Sequence, residues 1–412
     1  MPKTTGTNST KKQILLSLII IGFTVRTPPL LWGEQFFYKH AAGDQYRILS
    51  TVHEMVYVDR RLSHRAEILN RIAVTVDEVR DGAGRHRGIF QTAERSVGVR
   101  EGQSFQWSRE YESVFVRDRL GYINIDQRYF MPVVRNVPVF PDRELQAGDT
   151  WSAEGHEMHD FRDSFGIEEP YRIPFTAQYT FLGERQWQGR QYPAFSVSYR
   201  IFSEPAPVRG RIWPMRILGA SDQVVYWDFD LGQARAYEEN FRMIFELSGG
   251  TTVEYRGKAE AEIIESPRMD KERLAEEIAG DISRLGIADA AVRVDERGIT
   301  ISLEDIRFQA DSAVLLPEER EKLDKIGEIL LRHRDRDILV GGHTALAGTE
   351  EGRTRLSRER AGAVADYLIG KGIRGADRIV VRGYGAERPL GDNRSEEGRR
   401  RNRRVEITIL EN

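Results

Sequence analysis

An alternation of apolar and polar residues with period two recurs from Glu34 to about Glu265 of this 412-residue chain, and it confines that stretch to sheet structure. Ile68, Asn70, Ile72, Val74 and Val76 mark one such run. It ends at Asp81-Gly82, a strong turn signal, and Gly88-Ile89-Phe90 resumes the pattern. Phe195, Val197, Tyr199 and Ile201 form a second run, entered through Gln188-Gly189. A third covers Val225 to Asp230, turns at Leu231-Gly232-Gln233 and returns over Tyr237 to Leu247, with Phe241, Met243 and Phe245 on one face. Ser248-Gly249-Gly250 then leads into Thr251–Ile264. With little helical periodicity between them, these runs predict an all-β domain over residues 34–265, an antiparallel sandwich or an open barrel. Charges interrupt many of the strands, as in Glu94-Arg95, Arg109-Glu110 and Arg117-Asp118-Arg119. A charge facing the bilayer midplane costs about 2–4 kcal/mol, so the sheet is expected in water rather than as a lipid-facing barrel.

Composition narrows the functional classes. Hydrophobic residues at 40% and charged residues at 30% exclude wholesale disorder and a polytopic helical membrane protein. A net charge of −3 gives no electrostatic footprint for nucleic acid, so no such partner is expected. The chain has no cysteine, hence no disulfide, thiolate metal site or lipidated cysteine. Near the N-terminus, Lys3, Lys11 and Lys12 precede the apolar stretch Ile14–Val25, followed by Pro28, Pro29 and the small Gly33. The pattern predicts a signal peptide over residues 1–33 and an exported chain that starts between Trp32 and Phe36. The expected location is the periplasm, associated with the outer membrane or cell wall.

His156-Glu157-Met158-His159-Asp160 holds the one close histidine pair and the one candidate metal or catalytic cluster. On a helix the two rings would share a face, but Gly155 and the strand-like run around Trp151 predict a loop or strand, where they point apart. The helical HExxH pattern, GxSxG and a phosphate-cradling Gly-rich loop are all missing from the sequence. The expectation is a non-enzyme without metal or cofactor, with residues 34–265 carrying no legible chemistry.

Beyond Pro267 the periodicity changes. Leu274, Ile278, Ile282 and Leu285 form a helical stripe that Gly286 ends, within an amphipathic helix and connector over residues 266–298. Ala291–Asp295 and Ile299–Leu303 flank the hairpin-like turn Glu296-Arg297-Gly298. From Ile299 the order is strand, helix, strand, helix, strand, strand, with Pro317 opening the first helix and the second running from about Arg353 to Gly370. The segments Phe308-Gln-Ala-Asp-Ser-Ala-Val-Leu, Gly342-His343-Thr344, Leu356-Ser357-x-x-Arg360-Ala361, Gly383-Tyr384-Gly385 and Gly398-x-x-x-Asn402-Arg403-Arg404-Val405-Glu406-Ile407 stand in this order. Together they resemble the OmpA-like peptidoglycan-binding domain, over residues 299–412.

That resemblance implies a C-terminal α/β sandwich of βαβαββ order that holds the stem peptide of peptidoglycan. In the family an Arg and an Asp grip the carboxylate and ammonium of the diamino acid at the third position. The Arg corresponds to Arg360, but the Asp that ends the family's Gly-His-Thr-Asp motif is Ala345 here. By the same resemblance His343, Thr344, Asn402 and Arg403 line or adjoin the pocket. Guanidinium binds carboxylate bidentately, so Arg360 remains an anchor, whereas Ala345 neither accepts from an ammonium nor balances its charge. The implied function is tethering to peptidoglycan. The alternative is an envelope scaffold whose degenerate C-terminal domain binds a protein, with the β-rich region recruiting an envelope partner.

Overall fold

The computed structural model describes residues 33–97, 104–265, 269–304, 306–309 and 312–411. The expected signal peptide, apart from Gly33, lies outside the described residues. Among the described residues no helix is long and apolar enough to cross a membrane.

Residues 34–265 contribute twelve described strands. They are β1 (Gln45–Val58), β2 (Arg61–Arg80), β3 (Ala83–Val97), β4 (Phe105–Arg117), β5 (Ile123–Ile125) and β6 (Val134–Arg135). Then come β7 (Thr150–His159), β8 (Tyr171–Trp187), β9 (Arg190–Ser203), β10 (Pro214–Asp228), β11 (Gln233–Leu247) and β12 (Thr252–Glu265). A short helix, α1 (Arg162–Phe165), follows β7. Sequential hairpins and the β1–β12 pairing give one antiparallel sheet in the order β5-β4-β3-β2-β1-β12-β11-β10-β9-β8-β7-β6. Asp81-Gly82 and Gln188-Gly189 take two successive positive φ values, the twist that a tight hairpin requires.

The sheet rolls until its ends touch. Arg109 on β4 donates to Asp160, just past β7, at 2.6 Å, and Tyr111 donates to the same carboxylate at 2.7 Å. Beside β5, the Ile123 amide donates to Asn136 Oδ1 at 2.8 Å. One part of the interior is filled by the segment around Phe36 and Tyr38 and the loop carrying Val139 and Phe140, which pack on Phe181, Phe195 and Trp227. Trp227 is fully buried there.

The C-terminal unit begins before the resemblance does. Helix α2 (Lys271–Arg284), capped by Asp270, places Ile278 and Ile282 in the same core as Leu323, Val340, Val364 and Ile407. Strand β13 (Ala290–Asp295) pairs with β14 (Gly298–Glu304). Residues 269–298 thus supply a helix and an edge strand to this unit. Helices α3 (Pro317–Leu331) and α4 (Glu350–Gly370) alternate with β15 (Ile338–Gly342) and β16 (Ile379–Gly383). Helix α5 (Glu396–Asn402), capped by Ser395, precedes β17 (Arg404–Leu410). The sheet order is β13-β14-β17-β15-β16, and β15 and β16 are parallel. Alternate residues of each strand, such as Ile299, Val340, Val381 and Ile407, are fully buried under the helices.

The other face of this sheet docks on the β-region. β4 adds beside β16 through the parallel register Val380↔Phe105 and Val381↔Gln106, which covers an edge that would otherwise be open. Leu69, Ala93 and Phe105 pack on Leu339, Val380 and Leu410. Next to them Arg71 on β2 donates to Asp337 at 2.7 Å, with the two side chains 10% and 3% exposed, and Arg378 donates to the same carboxylate at 2.8 Å.

Candidate functional site

The site is assembled where β15 and β16 end against helix α4. A β-carbon at Gly342 would lie 1.9 Å from the Ser357 carbonyl, and one at Gly383 would lie 2.6 Å from the Thr354 carbonyl. Both positions need glycine so that the strand ends touch the helix backbone. Ser357 fixes the junction: its hydroxyl donates to Thr354 O at 2.8 Å and accepts from the Gly385 amide at 2.9 Å. Gly385 in turn accepts from the Thr344 amide at 2.8 Å, and the Leu346 amide donates to Asn393 Oδ1 at 3.0 Å. The loop from His343 to Leu346 is therefore held from both sides, with Ala345 at 7% exposure.

His343 is buried and works as a support. Its ring stacks on Tyr384 with centroids 4.9 Å apart, and Nε2 lies 3.2 Å from Glu406. Burial lowers its pKa. Burial alone would raise the Glu406 carboxyl, but His343, a bidentate pair from Arg293 at 2.8 Å and the Arg404 guanidinium at 2.7 Å hold it below the ordinary carboxylate range. Arg360 emerges from α4 toward the segment that follows β14. Its Nε donates to Ser312 O at 3.2 Å and its guanidinium lies over the Phe308 ring at 5.0 Å. Two family motifs thus meet at Arg360, while Thr344 and Ala345 meet α4 one turn earlier, by way of Gly385 and Ser357.

Asn402 is 1% exposed and its amide is consumed locally. Oδ1 accepts from the Leu390 and Gly391 amides at 2.7 and 2.9 Å, and Nδ2 donates to Gly391 O and Asn393 Oδ1, both at 2.9 Å. It organises the 390–393 loop, whose Asn393 then holds Leu346. Arg403 pairs with Glu396 at 2.8 Å on the exposed end of α5. The sequence reading singled out neither Ser357 nor the Glu406 network as parts of the site. A charge in the apolar run Val405-Glu406-Ile407 was the available signal for the second. His156 and His159 lie on strand β7 three residues apart and face opposite sides, with His159 bonded to Glu157 at 2.8 Å.

Residues 307–403 match the model of the OmpA family. Peptidoglycan-binding protein ArfA of Mycobacterium tuberculosis is 38% identical over 104 residues, which is 25% of this chain and 32% of that protein. Outer membrane protein A of Bordetella avium is 40% identical over 106 residues, 26% of this chain and 54% of that protein. The structure of an outer membrane protein from Borrelia burgdorferi B31 is 36% identical, covers 29% of this chain and 96% of that one, and gives a TM-score of 0.25. The chain spans about a third to a half of the length of these curated relatives. Residues 307–403 of its C-terminal unit are an OmpA-family domain; the match leaves residues 34–306 outside.

Proposed function

We propose that the chain is a non-catalytic cell-envelope protein that tethers to peptidoglycan through its C-terminal domain, in the periplasm against the outer membrane or wall. One observation carries this reading: an OmpA-family segment has Arg360 on helix α4, the helix whose preceding turn meets a His343–Leu346 loop clasped by Gly385 and Asn393. A relative that matches this segment is named for binding peptidoglycan. The stem peptide's carboxylate pairs with Arg360, for which a guanidinium is suited by geometry and permanent charge. Ala345 leaves the ammonium pole of the clamp without its acid, and Glu350 and Glu351 at the start of α4 are the nearest acids in sequence.

Co-sedimentation of the full chain with purified sacculi tests the proposal. Arg360→Ala is expected to weaken binding at least tenfold. Ala345→Asp is expected to strengthen binding to a stem peptide whose third residue offers both ammonium and carboxylate, by about 1.5–3 kcal/mol for the restored charge-assisted bond. Unchanged retention of Arg360→Ala, with no gain from Ala345→Asp, would transfer the reading to a scaffold that binds protein through this domain.

A further inference from the structure

On part of the β-region's inner face, apolar side chains are only half-covered by their neighbours. About eight strands close into a barrel just wide enough to be packed by side chains, and wider sheets enclose space. Here ten strands are ten residues or longer. The Phe36–Phe140 cluster takes in side chains of β7 to β12 and none of β1 or β2.

The ladder registers define which side chains face inward along β1 to β3 and β12. Ile48 lies opposite Ile72 and Ile263, and Val52 opposite Ile68 and Ala259. Over the middle of β2, between the buried inward residues Ala66 and Val74, the usual order of burial is inverted. The outward Leu69 and Arg71 are buried against the C-terminal unit, whereas the inward Ile68, Asn70 and Ile72 are only half-buried. Ile48, Val52 and Phe241 are also half-buried, and none of these five apolar side chains belongs to a packed cluster among the described residues. At Gly257 a β-carbon would fall 2.3 Å from Phe241 Cζ, so the ring lies flat along the wall.

This surface is reachable and yet enclosed. Burial, with the neighbouring Glu94 charge second, pushes the Glu54 carboxyl up to about 7. Groups on an open sheet face would keep their ordinary values. Glu54 on β1, Glu94 on β3 and Glu239 on β11 all stand on the inner face by register, and all are acidic. The inner-face arginines of β4 are committed, Arg109 to Asp160 and Asp163 and Arg117 to the rings of Tyr38 and Phe115.

We infer that the interior between β1, β2, β3, β11 and β12 is a binding site for a single long aliphatic chain whose head is cationic, with the chain against Ile48, Val52, Ile68, Ile72 and Phe241 and the head at Glu54 and Glu94. An apolar wall with few polar groups at one end is the pattern of a small-molecule site. Two carboxylates at that end attract an ammonium and repel the carboxylate head of a fatty acid. The reading is independent of wall binding.

The test uses the full chain and the fluorescent apolar amine N-phenyl-1-naphthylamine, displaced by dodecylamine or dodecanoate below their micellar concentrations. Saturable probe binding is expected, with dodecylamine displacing at least tenfold better than dodecanoate. Ile72→Arg and, as a blocking variant without charge, Ile68→Trp are each expected to weaken probe binding at least tenfold. His53→Arg, on the outer face of β1, should leave it unchanged. Glu54→Gln should shrink the preference for amine over acid at least threefold. Absence of saturable binding, or full binding by both folded blocking variants, would overturn the site. Equal displacement by dodecanoate would overturn the assignment of the head.

Discussion

The two units bury a sheet in opposite ways. In the OmpA-family domain, helices α2, α3 and α4 cover one whole face, and inward residues from Ile299 to Ile409 reach complete burial. Among the described residues of the β-region there is no long helix, so the sheet covers itself by rolling, and its largest core forms where residues around Phe36 and Phe140 reach in. A helical layer adapts its side chains to the sheet beneath it. A rolled sheet fixes its own interior volume by strand number, and filling that volume is a separate problem.

The junction is where the comparison is easiest to break. Asp337→Ala leaves the buried Arg71 without its carboxylate, with the Asp377 carbonyl still accepting from it, and is expected to destabilise the docked state by about 3–5 kcal/mol. All six tryptophans lie before residue 228, so their fluorescence follows the β-region and, through Trp107 under Arg297 and Arg382, its junction, while hydrogen exchange follows the C-terminal unit. The wild type should unfold with coincident transitions by both probes, and Asp337→Ala should separate them. Transitions already separate in the wild type would mean that the interface does not couple the units.

Core truncations sharpen the contrast. Ile326→Ala, at a fully buried position of α3, is expected to cost about 2–5 kcal/mol as a cavity in a packed core. Ile72→Ala, at a half-buried inward position of β2, should cost less than about 1.5 kcal/mol, because the lost contacts are few. Denaturant titration measures both, and equal costs would show that the β-region interior is packed after all. The same logic bears on truncation. A fragment beginning at residue 290 lacks Ile278 and Ile282, so limited proteolysis should leave a more protected C-terminal fragment when α2 is retained.

A further expected effect, absent near neutral pH, is on pH dependence. Burial first, with Arg117 and His40 adding to it, lowers His86 from 6.5 to about 3. The unfolded chain therefore takes up a proton that the folded β-region refuses, and stability present above pH 6.5 is lost as pH falls toward 3. His86→Phe should flatten that slope in tryptophan fluorescence. Glu406 is held below its ordinary 4.5, so its contribution to the C-terminal unit is present above that value and fades only at lower pH. Glu406→Gln should flatten only this lower window, read by hydrogen exchange. Identical windows for the two variants would count against separate local causes.

Much of this was legible from residues alone. The alternation at Ile68–Val76, the turn at Asp81-Gly82 and the helix opened by Pro317 are local, because backbone sterics and side-chain spacing act over a few residues. The site motifs were legible for the same reason: Gly342 and Gly383 mark the positions where only a bare backbone fits against α4. What local pattern does not encode is the partner of each face. Alternation assigns Leu69 and Ile68 to opposite sides of β2 without saying which side will be covered, and the C-terminal sheet buried the one that the strand's own apolar run had turned outward. Likewise the sequence placed Asn402 near the pocket, and only the tertiary structure showed its amide spent on residues 390–393. Spacing along the chain determines secondary structure because its forces are short-ranged. Burial, ion pairing and enclosed volume depend on segments hundreds of residues apart, such as Arg71 and Asp337, and exist only once those segments are folded together.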